Sequence, residues 1–268
     1  MQREFQFYIV PTPIGNMDDI TLRAIETLKS VDVIACEDTR ITNNILNYYN
    51  IKAKTMSYHK FNEKSRVKEI IELIKSGKKV ALASDAGTPM ICDPGGVLLT
   101  ELRENNISVT ALPGSCAITT FLSQVPRDNE LFTFAGFFPK TRHSAEDLII
   151  NNANTNLVFY DSPNRIIGTL NLIKKVRGNI NVAIGRELTK LYEEIVIGDI
   201  DTVTEHFKEG VNGEIVCMVY AGEGTEKFDT LAKIKKLKDK GFKSKEIATI
   251  LSTLYDLNKN DVYEQTMD

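Results

Sequence analysis

The stretch that decides the fold is Val80-Ala81-Leu82-Ala83-Ser84-Asp85-Ala86-Gly87-Thr88-Pro89, in which a short apolar run passes directly into a loop of small and polar residues. Such a run, bounded by turn residues, is typical of a buried strand in a parallel sheet. In open α/β sheets, ligands bind at the carboxyl ends of these strands. Asp85 is placed there to accept hydrogen bonds from an ammonium group or ribose hydroxyls, and Gly87 lets a ligand approach the backbone. A long turn, with Asp93 capping the next helix, is the alternative.

Two further loops repeat this order of strand, turn and helix. Pro11-Thr12-Pro13-Ile14-Gly15-Asn16 follows one apolar strand, and Leu112-Pro113-Gly114-Ser115-Cys116-Ala117 follows another. The first has a single glycine and no Gly-Lys-Ser/Thr, so it is neither a dinucleotide fingerprint nor a Walker A loop. Three such loops after parallel strands would line one edge of a sheet. Plain turns, with Ser115 as a helix N-cap, are the alternative.

The order of elements predicts two α/β units followed by helices. Strands alternate with helices in the first half, which favours βαβ units and a mostly parallel sheet. The polar stretch Ser123–Glu130 reads as a linker. Strands follow one another more closely after it, which favours a mixed sheet. The predicted domains are 1–122, 131–225 and 228–268, the last containing three short helices at 231–240, 244–255 and 261–267.

Composition excludes several classes of protein. The 268 residues carry a net charge of −3, which argues against a uniformly basic nucleic-acid binder, although residues 233–245 hold seven lysines and one aspartate. Four cysteines and three histidines are scattered, so no metal site or disulfide framework is expected. No apolar run approaches the roughly 20 residues of a membrane span. The start of the chain lacks a signal-peptide pattern, so we expect a cytoplasmic protein with no membrane partner.

Four other motifs combine charged and aromatic residues. The acids of Cys36-Glu37-Asp38-Thr39-Arg40 follow a second strand and are placed to bind a ribose, or else Asp38 or Thr39 is only an N-cap. The loop Ser57–Glu63 suits base stacking and phosphate contact, with an ordinary polar loop as the alternative. Phe159–Arg165 and Gly185–Lys190 each follow a strand of the second unit, where Arg186 and Glu187 form either an ion pair or a substrate contact.

Taken in order and spacing, these motifs resemble the tetrapyrrole-methylase-type (class III) methyltransferases, most closely their small-subunit ribosomal RNA methyltransferase I branch. The resemblance covers essentially the whole chain. The matching stretches are Val10-Pro11-Thr12-Pro13-Ile14-Gly15-Asn16, Glu37-Asp38-Thr39-Arg40, Ser84-Asp85-Ala86-Gly87-Thr88-Pro89 with Asp93-Pro94-Gly95, Pro113-Gly114-Ser115, Phe159-Tyr160-Asp161-Ser162-Pro163-Asn164-Arg165 and Arg186-Glu187-Leu188-Thr189-Lys190.

The resemblance implies two α/β domains with a cofactor cleft between them, a small C-terminal helical segment and a homodimer. It implies an S-adenosyl-L-methionine-dependent enzyme that methylates the ribose 2′-hydroxyl of a cytidine in 16S ribosomal RNA of the small ribosomal subunit. Two positions depart from the family: Asn164 replaces an aromatic residue or histidine, and the loop Lys140–His143 is less basic than expected. Carried over by motif, the cofactor-binding residues are Pro13, Gly15, Asp85, Ala86, Gly87, Thr88, Ser115, Tyr160 and Glu187.

The residues leave the chemistry partly open. A base must remove the hydroxyl proton, and the candidates are Asp38, Glu37 and Asp85, of which Asp85 suits the cofactor better. Arg40 completes the predicted catalytic set, and either Arg40 or Lys60 is expected to orient phosphate. Two other functions remain alternatives: methylation of a tetrapyrrole or another small molecule, and a non-catalytic RNA- or nucleotide-binding module. The predicted RNA-binding residues are His59, Lys60, Arg165, Lys236 and Lys243.

Overall fold

The computed structural model describes residues 5–128, 131–222, 230–255 and 257–267. Met1–Ala221 forms one compact unit and Gly222–Asp268 a second. The predicted domain boundaries at 225 and 228 lie outside the described residues, as do residues 129–130 of the predicted linker. The division into three domains therefore stays a prediction.

The first sheet is fully parallel, with the strand order β3-β2-β4-β1-β5. Every residue of the central strands β2 and β4 is buried, because helices cover both faces of the sheet. Val80 pairs in register with Phe7 on one side and Val33 on the other, so the loops after these strands emerge side by side. The strands are β1 (Phe7–Val10), β2 (Val33–Cys36), β3 (Lys54–Ser57), β4 (Val80–Ala83) and β5 (Val109–Ala111).

Helices on either side of this sheet bury their apolar faces in two separate clusters. The spacing of Ile20, Ala24, Ile25 and Leu28 predicts a helix that opens at Asp18, but the helix begins later. Met17–Asp19 forms a short 3-10 turn, and Thr21 caps the helix proper by accepting a hydrogen bond from the Ala24 amide at 3.1 Å. A glycine after the helical pattern of Lys64–Lys75 predicts the end of that helix, and Gly77, with φ +89°, follows the third helix as expected. The helices are α1 (Leu22–Ser30), α2 (Thr39–Tyr48), α3 (Glu63–Lys75), α4 (Gly96–Glu104) and α5 (Ala117–Leu122).

The second sheet is mixed, as predicted, with the order β6-β7-β10-β8-β9 and one parallel pair, β6 with β7. The helix that follows the first strand of this sheet, Arg142–Asn151, was not predicted from the sequence. That helix buries only Ala145 and Ile149, so its apolar stripe is too short to show in the pattern. The elements are β6 (Phe132–Phe137), α6 (Arg142–Asn151), β7 (Asn156–Asp161), α7 (Ile166–Arg177), β8 (Asn181–Arg186), β9 (Glu194–Asp199), α8 (Ile200–His206) and β10 (Ile215–Val219).

Helix α5 joins the two sheets. Its residues Ile118, Phe121 and Leu122 belong to one apolar cluster with residues of β7, β8 and β10. A Cβ added at Gly185 of β8 would lie 2.6 Å from the Phe121 ring, so the ring packs directly on the backbone of the second sheet. This packing brings the loops that leave the two sheets face to face.

The C-terminal unit contains the three predicted helices, α9 (Thr230–Asp239), α10 (Ser244–Tyr255) and α11 (Lys259–Gln265). They share a small apolar cluster of their own, formed by Ile234, Ile247, Ala248, Leu251 and Val262. Among the described residues, no helix of either unit has the length and apolar character needed to cross a membrane.

Candidate functional site

A cleft of about 830 Å³ opens between the loops of the two sheets. Its size falls within the range of small-molecule sites, roughly 300–1,000 Å³. The loops after β1, β4 and β5 line one side, which confirms that the small-residue loops meet at one sheet edge. The residues of that side are Ile14, Asp85, Ala86, Gly87, Thr88, Ile91, Cys92, Asp93, Cys116 and Ala117. The facing residues include Phe137, Phe138, Lys140, Tyr160, Asp161, Ser162, Pro163, Arg165, Leu188, Glu214 and Val216.

Hydrogen bonds fix the three loops to one another. The Thr12 and Gly87 backbones bond in both directions at 2.9 and 3.0 Å, and Gly87 takes φ +80°. The Ser84 hydroxyl donates to the Gly87 carbonyl at 2.8 Å, and the Thr12 hydroxyl donates to the Ser84 carbonyl at 3.0 Å. The Thr88 hydroxyl donates to the Ser115 carbonyl at 2.9 Å. These bonds hold the three loops in a fixed arrangement at the edge of the cleft.

Asp38 is committed to its own helix. Its carboxylate caps α2 by accepting the Arg40 amide at 2.8 Å and also accepts Arg40 Nε at 3.0 Å and Nη2 at 2.6 Å. These bonds lower the pKa of Asp38 to about 2. The N-cap interpretation of Asp38 is therefore confirmed, and neither Asp38 nor Arg40 lines the cleft.

Asp85 lies inside the cleft, linked to the loop after β2. Its Oδ1 accepts a hydrogen bond from the Asp38 amide at 3.1 Å. Burial raises the pKa of Asp85, and the charge of Asp38 adds to this, while the hydrogen bond from the Asp38 amide lowers it. Its other carboxylate oxygen accepts no hydrogen bond from the described part of the chain and can accept one from a ligand. Glu37, by contrast, is exposed and reaches only a small side pocket behind the cleft.

Asp93 is a cleft residue that the motif reading missed. The alternative that Asp93 caps the next helix is wrong, because α4 begins one residue after its N-cap Gly95 and no side chain bonds to that end. Asp93 lines both the cleft and the small side pocket. Burial, and then the charges of Glu37 and Asp85, raise the pKa of Asp93 to about 6. The acid is visible in the sequence, but Glu37 approaches it from the loop after a different strand, β2.

Aromatic rings form the wall opposite Asp85. The Tyr160 ring packs edge-on against Phe134, with centroids 5.2 Å apart, and tilted against Phe137 at 5.5 Å. Burial raises the pKa of Tyr160 above its usual range. Tyr160 was predicted to lie at the cofactor, and it lines the cleft beside the apolar side chains of Ile14 and Leu188.

Four predicted cofactor residues do not line the cleft: Pro13, Gly15, Ser115 and Glu187. In all four cases an adjacent residue does, so the motif located the loop but not the inward-facing side chain. Glu187 accepts Lys190 Nζ at 2.8 Å and the Glu214 amide at 2.9 Å, and the Lys190 bond is the largest cause of its lowered pKa. A Cβ on Gly15 would lie 2.4 Å from Lys190 Cγ. The residues around Glu187 therefore support the shape of the cleft.

The predicted RNA-binding residues are dispersed. His59 and Lys60 lie in the turn after β3, where Lys60 is exposed and the His59 amide donates to Asn62 at 2.8 Å. Arg165 lines the cleft, but its guanidinium donates to the Pro139 carbonyl at 2.8 Å and to the Phe138 carbonyl. Lys236 and Lys243 are exposed residues of the C-terminal unit. The structure does not bring these five residues together within one unit.

Lys140 is a further cation that the sequence reading did not select. It lines the cleft, is exposed and makes no ion pair with any described residue. Within the described ranges, no group of three or more His, Cys, Asp or Glu side chains is arranged to bind a metal ion. The charged groups of the cleft are therefore the carboxylates of Asp85 and Asp93 on one side, and Lys140, Glu214 and the Asp161–Arg165 ion pair on the other.

The model of the family described as Tetrapyrrole (Corrin/Porphyrin) Methylases matches residues 6–204. A protein of Hydrogenobaculum sp. named "Ribosomal RNA small subunit methyltransferase I" is 45% identical over 224 residues, covering 82% of this chain and 97% of the relative. A protein of the same name from Rickettsia prowazekii is 42% identical over 270 residues, covering 96% of this chain and 92% of the relative.

Solved structures with the same fold are much more distant in sequence. Diphthine synthase superposes with a TM-score of 0.65 at 12% identity, covering 80% of this chain and 89% of that one. Cobalt precorrin-4 methyltransferase gives a TM-score of 0.60 at 14% identity, covering 80% and 94%. At these identities the likeness concerns the fold alone.

Proposed function

The chain belongs to the tetrapyrrole methylase family, and from this membership we propose that it transfers a methyl group from S-adenosyl-L-methionine to the ribose 2′-hydroxyl of a cytidine in 16S ribosomal RNA. It is a methyltransferase. The choice of ribosomal RNA as the acceptor rests on the near full-length similarity to relatives named for the small-subunit ribosomal RNA. The distant structural neighbours share only the fold, so they give no support to a tetrapyrrole acceptor.

The residues of the cleft fit the proposed cofactor. Asp85 offers a carboxylate oxygen to an ammonium group or to ribose hydroxyls, and Gly87, at φ +80°, holds the adjoining loop in a conformation that other residues rarely adopt. Ile14, Leu188 and Tyr160 supply an apolar surface that suits a purine ring. We assign cofactor binding to Asp85, Ala86, Gly87, Thr88 and Tyr160, with Pro13, Gly15, Ser115 and Glu187 shaping their loops.

When bound, the cofactor supplies a methyl group on a positively charged sulfur, which an oxygen nucleophile attacks in line. The protein's part is to hold two reactants in that geometry, which is worth roughly 7–11 kcal/mol of barrier. The bonded Thr12–Gly87 and Thr88–Ser115 pairs keep the cleft backbone in place without rearrangement. The apolar wall around Tyr160 excludes water from the reacting groups.

The RNA acceptor would meet two cationic residues as it enters the cleft. Lys140 and Arg165 line the cleft on the side of the second sheet, opposite Asp85. A ribose within an RNA chain lies between two phosphates, and an exposed lysine suits contact with one of them. We assign RNA contact to Lys140 in addition to His59, Lys60, Arg165, Lys236 and Lys243. A homodimer and a cytoplasmic location also belong to the proposal.

Two measurements test the function. Calorimetric titration with S-adenosyl-L-methionine should show one site per chain, and Asp85→Asn should weaken that binding. Incubation with methyl-labelled cofactor and small subunits lacking the modification should then label the RNA. Binding of the cofactor with no transfer to any ribosomal particle would favour the non-catalytic alternative, and transfer to a small molecule instead would favour the other.

A further inference from the structure

A hydroxyl that attacks a methyl group must lose its proton, so some group at the cleft has to accept it. Two of the three acids suggested by the motifs are poorly placed to do so. Asp38 is saturated by Arg40 and lies outside the cleft, and Glu37 reaches only the side pocket. Asp85 faces the cleft, but a carboxylate engaged with the cofactor cannot readily serve as the base too. This leaves the question of which group does.

Asp93 has the geometry that the others lack. It lies on the loop between β4 and α4, half-buried, and lines the cleft and the side pocket at once. Unlike Asp38, it accepts no hydrogen bond from any residue in the described ranges, so its carboxylate oxygens are available to a ligand. Its charge acts on the phenol of Tyr160 across the cleft, which places it near the wall of the second sheet.

We propose that the carboxylate of Asp93 accepts the proton of the attacking ribose hydroxyl. The inference rests on the proposed function. As the oxygen–methyl bond forms, the sulfur–methyl bond breaks and its electron pair stays on sulfur, which loses its positive charge. The hydroxyl O–H bond breaks, and the proton passes to Asp93 and from there to solvent. No other reactant is needed.

The electrostatic surroundings suit this role. The titratable groups around Asp93 are Glu37 from the loop after β2, Tyr160 from β7, and Asp85 and the thiol of Cys92 on its own loop. Burial and the two carboxylates raise the pKa of Asp93 to about 6. The group is therefore ionised at neutral pH yet a much stronger base than Asp38, and general bases act best when their pKa lies near the working pH.

The test compares carboxamide variants of the acids on labelled transfer to small ribosomal subunits. Asp93→Asn, Glu37→Gln and Asp38→Asn are assayed at saturating cofactor, with exposed Glu209→Gln as the matched control. We expect Asp93→Asn to lower kcat by at least about 100-fold, the usual contribution of a general base. Its cofactor affinity, measured by calorimetry, should stay within about threefold of wild type, which is under 1 kcal/mol.

The pH profile separates a chemical role from a structural one. Wild-type kcat should rise with pH through about 6 and then level off, because Asp93 must be ionised. Asp93→Glu should be faster than Asp93→Asn and should keep the rise of kcat with pH. Asp93→Asn should no longer show that rise. A thermal melt of each variant shows that it is folded.

Two outcomes would overturn the assignment. In one, the kcat of Asp93→Asn stays within about fivefold of wild type, well short of a general base's contribution, while Glu37→Gln or Asp38→Asn loses activity. In the other, the rate and the cofactor affinity of Asp93→Asn fall together, which makes Asp93 a binding residue. A wild-type protein that labels no RNA would overturn the proposed function itself, and that result is seen before any variant is compared.

Discussion

The backbones of Thr12 and Gly87 bond to each other in both directions, at 2.9 and 3.0 Å, although 75 positions separate them in the chain. This pair joins the loop after β1 to the loop after β4, the two neighbouring strands at the centre of the first sheet. Gly87 can make the pair only with φ +80°, a conformation that costs other residues about 1–2 kcal/mol. The shape of the cofactor side of the cleft therefore depends on this glycine.

Gly87→Ala should damage the cleft more than the fold. Its Cβ would lie 3.1 Å from Ile14 Cγ2, so the loop must shift where it faces the ligand. We expect cofactor affinity to fall about tenfold, equivalent to about 1.4 kcal/mol, measured by calorimetry. The matched control is Gly77→Ala, which has φ +89° but open space around its Cβ. Both variants should lose some stability. Equal cofactor affinity in the two would show that Gly87 does not shape the cofactor side of the cleft.

Asp93→Asn should stabilise the protein while it slows the reaction. The folded state holds the Asp93 proton up to about pH 6, whereas an unfolded chain releases it near 3.9. Wild-type stability conferred by this group is thus present below pH 4 and lost as the pH rises to about 6. The gain in Tm of the variant should be absent at pH 4 and reach its full size above pH 6. A pH-independent difference, or the same gain in Glu209→Gln, would contradict this.

The role of Lys140 can be read from the salt dependence of RNA binding. Each lysine that contacts a phosphate contributes about one unit to the slope of log affinity against log salt concentration. Lys140→Ala should therefore weaken binding of small-subunit RNA and reduce the slope by about one. Lys78→Ala is the control, because Lys78 is exposed and precedes β4, at the sheet edge opposite the cleft. Unchanged slopes in both variants would remove Lys140 from the RNA surface.

The C-terminal unit should be separable from cofactor binding. It has its own apolar cluster, and the Hydrogenobaculum relative, covered over 97% of its length, aligns with only 82% of this chain. A chain ending at Ala221 should bind the cofactor as the full protein does. It should bind RNA more weakly, because it lacks the seven lysines between 233 and 245. Loss of cofactor affinity on truncation would show that the unit supports the cleft.

The sequence predicted most of the fold because the deciding signals are local. Strand β4 and the glycine after α3 follow from short runs of residue types, and the neighbouring loops followed from the rule that parallel strands end at one edge. Helix α6 was missed because it buries two residues only. The inward-facing residues of the loops were often off by one, since loop geometry and not spacing decides whether Pro13 or Ile14 faces the ligand.

The setting of Asp93 could not be read from the chain. Its raised pKa depends first on burial and then on the charges of Glu37 and Asp85. Asp85 shares its loop, whereas Glu37 follows β2 and approaches it because β2 and β4 are neighbours in the sheet. That no residue in the described ranges donates a hydrogen bond to it is likewise a property of the folded loops. The sequence shows an acid, Asp93, before Pro94-Gly95-Gly96, and that pattern alone is equally typical of a residue that caps a helix.

The central claim is that the cleft between the two sheets methylates a ribose of small-subunit ribosomal RNA. The most direct measurement is mass spectrometry of the nucleosides from small subunits lacking the modification, after treatment with the protein and S-adenosyl-L-methionine carrying a deuterated methyl group. We expect deuterium in 2′-O-methylcytidine and in no other nucleoside. Label on a nucleobase, or no label from a protein that binds the cofactor, would contradict it.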